Sequence, residues 1–203
     1  DIHTFMTNYR EAFGERAELP IAFWYSDKQE SETDKIGGCF FKGLQQVREG
    51  KTISLNSDVI GCGGGKFYTG FTEMPIHVPN FVSLKEKYKK TPEMVTDFIK
   101  QIQVPRTEKA YLHFARIDKL ASFDHVEFAV LATPDILSGL TTWAFYDTNA
   151  FDTVATPSVP VAVPFNPSLF SKTKKTVSAV SSASSIRPGP HFEANLLSFT
   201  IPM

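Results

Sequence analysis

Two stretches of this chain share one grammar: a strand-length apolar run, an amphipathic helical pattern and a second short apolar run. The first is Ile21 to Tyr25, then 37–49, then Lys51 to Leu55. The second is Val126 to Ala132, then Asp135 to Tyr146, then Thr153 to Ala155. A strand alternates or is continuously apolar, whereas a helix repeats its apolar face every 3.6 residues, and only layered α/β or α+β folds accommodate both in alternation. The pattern predicts a single domain over 1–203, with a mixed β-sheet and packed helices built from two strand-helix-strand units. Parallel pairing is expected within the units, and antiparallel or edge strands from the proline-rich last third. The likeness of about 20–60 to about 110–160 also fits an internal duplication, though this grammar is common in the class.

Punctuation along the chain supports the helices. Ile2, Phe5, Met6, Tyr9 and Phe13 form one stripe of a 3.6-residue period that ends at Gly14. Phe40, Leu44 and Val47 share a face, with Gly50 placed as a C-cap. Thr91-Pro92-Glu93 and Thr133-Pro134-Asp135 are the same start signal twice: a capping hydroxyl, a proline at the first helical position and a carboxylate at the positive dipole end. Met94, Val95, Phe98 and Ile99 should be buried by one of these helices, and Ile136, Leu137, Leu140, Trp143 and Ala144 by the other. Ala110 to Ile117, Pro160 to Val163 and Asn195 to Ile201 read as further strands, and the polar segment 26–35 as an exposed, mobile loop.

Composition narrows the functional classes. With 21 basic and 22 acidic residues in 203, the chain lacks the basic footprint of a dedicated nucleic-acid binder. No apolar run reaches bilayer-spanning length, and the first thirty residues read as amphipathic rather than as a secretory leader. Cys39 and Cys62 are too few for a disulfide framework or a four-thiolate metal site, so free thiols and a cytoplasmic location are expected. The 18 phenylalanines are read as core filling.

The most unusual stretch is Gly61-Cys62-Gly63-Gly64-Gly65-Lys66. So many glycines cost chain entropy, which a turn of converging N–H groups around an anion would explain, with Lys66 adding charge. Close approach of a ligand or of neighbouring backbone would explain it equally. It is not a P-loop, since Ile60 stands where the first glycine belongs and Phe67 follows the lysine. Nor is it a dinucleotide fingerprint, whose third glycine would fall on Lys66.

Cys62 is a candidate nucleophile, or a small packing residue. Its base would come from elsewhere in the chain: His77, His113, His125 and His191 are candidates, and His113, between Leu112 and Phe114, reads as a satisfied core residue. Histidine and cysteine spacings give no metal motif. Lys85 to Lys90 reads as a solvated face. Arg187, on the Arg187-Pro188-Gly189-Pro190 turn, is a candidate second clamp for a carboxylate or phosphate, or simply part of an exposed loop.

Gly38-Cys39, the helix end Val47-Arg48-Glu49-Gly50, the strand Lys51 to Leu55, then Cys62-Gly63-Gly64-Gly65 and Gly70 together resemble the domain-of-unknown-function 169 family. Glu127 to Leu131 with Asp135-Ile136-Leu137 resembles its second half, and Leu197 to Pro202 its C-terminal strand. Gly63 replaces a proline common in that family, and a cysteine expected near Thr156 to Val163 is absent. The resemblance implies that Cys39 and Cys62 belong to the family's signature; it implies no activity, substrate or cofactor.

Three functional classes fit these residues. The first is a binding protein for a small, anionic molecule at Gly61, Gly63, Gly64, Gly65 and Lys66, with Arg187 as a second contact. The second is a thiol-dependent enzyme with Cys62 as nucleophile or redox centre and Cys39 as the resolving thiol. The third is a structural or interaction module without a ligand. Cofactor and oligomeric state stay open.

Overall fold

The computed structural model describes residues 1–39, 41–102, 104–147, 149 and 154, and the backbone of 155, 177–180 and 197–201. Arg187, His191 and the proposed strand at 160–163 lie outside the described residues. The chain forms α1 (Ile2–Phe13), β1 (Ile21–Ser26), α2 (Phe41–Arg48), β2 (Ile53–Leu55) and α3 (Gly63–Tyr68). A short turn, α4 (Val78–Asn80), runs into a π-helical turn at Phe81–Lys85, followed by α5 (Pro92–Ile102). Then come β3 (Tyr111–Arg116), β4 (Glu127–Ala132), α6 (Pro134–Phe145), β5 (Val154–Ala155), β6 (Val177–Val180) and β7 (Leu197–Ile201).

The strands make one seven-stranded mixed sheet in the order β2-β3-β1-β4-β7-β6-β5, and the fold is α+β. Both units are present, but their strands do not pair as expected. β1 and β2 each run antiparallel to β3, which stands between them, so they share a direction without touching. β4 and β5 also share a direction, with β7 and β6 between them. A helix that crosses back over the sheet leaves a slot between its two strands, and later segments of chain fill both slots, β3 the first and β7 with β6 the second. β5 pairs with β6 in parallel at the sheet edge.

Register assigns the two faces. Phe23 lies opposite Phe114 and Glu127, and Phe114 opposite Ile53, so these side chains share one face. That face packs against Leu44 and Val47 of α2, Phe67 and Tyr68 of α3, and Val95, Ile99 and Ile102 of α5. On the other face Tyr9, Ile136 and Leu140 from α1 and α6 pack on Val130 and Ala132, while Ala22 and Phe128 meet Phe5 and Met6. Leu44, Val47 and Leu55 are fully buried; truncating such a leucine to alanine costs about 2–5 kcal/mol.

Helix boundaries follow the punctuation closely. Asp1 caps α1 through Thr4 N–H at 2.8 Å, Thr91 Oγ1 accepts from Met94 N–H, and Thr133 Oγ1 accepts from Ile136 N–H. α2 is shorter than the expected 37–49. Gly38 takes a left-handed φ of 77°, and Ile36 instead forms a parallel bridge with Ile60. Met94 and Trp143, expected in the buried stripes, are 48% and 50% exposed. Trp143 is covered in part by the Phe13 ring, 5.0 Å away.

Candidate functional site

Gly61 to Lys66 is a helix start, not a turn of converging donors. Cys62 is the N-cap of α3, in extended conformation, and its Sγ accepts the Gly65 N–H at 3.2 Å. The Cys62 carbonyl accepts from Lys66 N–H at 3.1 Å, and Thr69 closes the other end through Gly65 O. Lys66 therefore falls in the last turn of α3, at its carbonyl end, where a cation complements the dipole.

The glycines have separate reasons. A Cβ on Gly61 would collide with the carbonyl oxygen of Ile36, the residue that also packs its side chain onto Gly43. A Cβ on Gly63 would come 3.1 Å from Pro75 Cγ and 4.0 Å from His77 Cε1. Nothing lies within 4 Å of the corresponding point on Gly64. Close approach of the protein's own chain thus accounts for Gly61 and Gly63, while the Gly64 flank is open.

Around this helix start the fold gathers groups from distant parts of the chain. Cys39 and Cys62 are both free thiols, Cys39 exposed and Cys62 half-buried. Although Cys39 is exposed as a residue, partial burial of its sulfur pushes the thiol above the ordinary value, a Phe41 N–H bond opposes this, and the charges of Cys62 and Glu86 raise it further. Glu86 acts in the same direction on Tyr68, whose hydroxyl is raised first by burial and has no partner among the described residues. Beside them Tyr25 donates its hydroxyl to Thr69 O at 2.9 Å. Its phenol is raised by burial and by the charge of Glu127. Burial pushes the Glu127 carboxyl up to about 7, and its Oε2 has no partner among the described residues.

The histidines divide. His113 is fully buried on the opposite sheet face, with Nδ1 2.9 Å from Ser54 Oγ and Nε2 2.8 Å from Ser26 Oγ. It is the satisfied core residue its apolar flanks suggested, and burial holds it below the ordinary imidazole value. His77 borders Gly63, and His125 is exposed. Among the described residues no three His, Cys, Asp or Glu side chains are grouped as metal ligands. No described helix is long and apolar enough to cross a membrane.

Glu127, Tyr25, Tyr68 and Glu86 were not among the residues singled out from the sequence. Glu127 did carry a signal: it is the one charge in the apolar run Val126 to Ala132. Tyr25 and Glu86 gave none, because only the fold brings them to α3, and Tyr68, the last residue of α3, reads in the sequence as an ordinary aromatic.

A family model for DUF169, described as uncharacterised ArCR, matches residues 15–161. The chain belongs to the DUF169 family. Within the DUF169 match lie β1 through β5, both cysteines, the whole of α3 and Glu127. The resemblance seen in Leu197 to Pro202 falls beyond the matched span, as does Arg187. Neither curated proteins nor solved structures give a match.

Proposed function

We propose that this DUF169 protein works through a thiol pair, with Cys62 as the reacting sulfur and Cys39 as the resolving thiol, acting on small-molecule disulfides. One observation carries this reading: the Ile36–Ile60 bridge and the close approach of Gly61 to Ile36 and Gly37 lay the segment leading to Cys39 along the start of α3, where Cys62 Sγ is fixed by the Gly65 N–H. In the first step the Cys62 thiolate attacks one sulfur of the substrate disulfide, giving a mixed disulfide and releasing one thiolate that takes up a proton. Cys39 then gives up its proton, attacks the Cys62 sulfur and expels the second thiolate, which takes up a proton. The substrate gains two electrons and two protons, and the protein is left with a Cys39–Cys62 disulfide.

The open flank of Gly64 supports approach of a small molecule to this helix start. It also favours a second reading, retention of a small anion here without chemistry. Two unbridged thiols fit a reducing, cytoplasmic compartment. Alkylation with iodoacetamide separates the two readings. A reacting Cys62 is labelled in the native protein at a rate comparable to that in denaturant; labelling that waits for unfolding removes the thiol reading.

A further inference from the structure

The run Lys85 to Lys90 builds a concave feature that the α3 site does not use. The π-helical turn ends with Glu86 N–H bonded to Phe81 O at 3.0 Å, and Tyr88 N–H reaches back to Val82 O at 3.1 Å. Between them Lys87 adopts a φ of 58°, the left-handed position where helix ends favour glycine. The resulting cleft, about 520 Å³, is lined by Ser83, Leu84, Lys87, Tyr88, Lys89 and Lys90. That size lies within the range of small-molecule sites.

Three observations bear on what it holds. Three of its six lining residues are lysines and none is acidic. Glu86, the single acid in the run, does not line the cleft. Ser83 is 4% exposed and its hydroxyl has no partner among the described residues, so a buried donor faces the cleft unsatisfied. Lys89 is steadied by the Phe98 ring, 5.3 Å from its Nζ. A lysine kept where glycine would be less strained is explained if its charge is used.

We propose that this cleft binds a phosphate group, with Lys87 and Lys90 supplying charge, Ser83 a hydroxyl, and Leu84 and Tyr88 the wall for an attached organic moiety. The phosphate belongs to a soluble metabolite or to a lipid headgroup; Leu84, which lines the cleft, is 62% exposed, and Phe81, three residues before it, is 50% exposed. This inference is independent of the thiol pair.

The test is calorimetric titration of the full chain with inorganic phosphate at matched ionic strength, beside cosedimentation with phosphatidylcholine vesicles with and without phosphatidic acid. Lys87→Gly removes the charge while relieving the backbone, and Lys90→Gln removes a second charge. Saturable phosphate binding, weakened about fivefold or more in both variants while Lys87→Gly melts no lower than the parent, is the expected result. Cosedimentation that needs phosphatidic acid and is lost in Lys87→Gly assigns the headgroup; phosphate binding without it assigns a soluble compound. Binding to neither probe, or binding unchanged in both variants, overturns the proposal.

Discussion

Ser54 Oγ lies 2.9 Å from His113 Nδ1 and also accepts the N–H groups of Glu30 and Ser31, at 3.2 and 3.0 Å. One hydroxyl on β2 thus ties the charged segment after β1 to a buried imidazole. Ser26 donates to Lys28 O at 2.8 Å and accepts from His113 Nε2–H, so Ser54 donates to Nδ1 and every partner is satisfied with a neutral ring. Thr33 Oγ1 adds a further tie by accepting from Ser54 N–H at 2.9 Å.

Ser54→Ala leaves the Nδ1 acceptor and two backbone donors without this partner. It is expected to destabilise by about 2–3 kcal/mol, and urea denaturation measures it. Limited proteolysis should show new cleavage between Asp27 and Lys35, because the anchor of that segment is gone.

The pH dependence has two opposed parts. His113 is held below its ordinary value of 6.5 by burial, so the unfolded chain takes up a proton first and stability falls as pH drops below about 6.5. Glu127 is raised from 4.5 to about 7, so the folded chain keeps its proton longer and stability falls as pH rises between those values. Glu127→Gln should remove the second slope and stabilise the protein at pH 8 by an amount on the order of 3 kcal/mol. Melting curves from pH 5 to pH 8 on parent and variant check both signs.

The glycines of the Cys62 segment should respond unequally. Gly61→Ala forces a Cβ against the Ile36 carbonyl and breaks the Ile36–Ile60 bridge, an expected loss of about 2 kcal/mol or more. Gly64→Ala meets no neighbour and lies in a helix, so it should stabilise by about 0.5–1 kcal/mol. Thermal melting of the two variants decides whether the glycines serve packing position by position.

Much of the scaffold was legible because its signals are local. The Thr-Pro-acid starts of α5 and α6, the stripe of α1 and the apolar runs of β1 and β4 are set by neighbours a few residues away. Strand partnership was not, since β3 inserts between β1 and β2 from a distant stretch of chain. The glycine-rich segment left its cause open for a related reason. Gly61 answers to Ile36, twenty-five positions earlier, and no local pattern reveals that contact. Segment 26–35 reads as a free polar loop because its anchors, Ser54 and His113, lie in other strands. The two cysteines were visible, but the packing of their segments against one another and the half-buried Glu127 and Tyr25 near α3 needed the fold.

The thiol pair is tested most directly by mass spectrometry of the native full chain after brief treatment with oxidised glutathione. The predicted product is a Cys39–Cys62 disulfide, two hydrogens lighter than the parent, with Cys39→Ser trapping glutathione on Cys62. A native protein in which both thiols persist, or in which glutathione accumulates on Cys39 alone while Cys62 stays unmodified, contradicts the account.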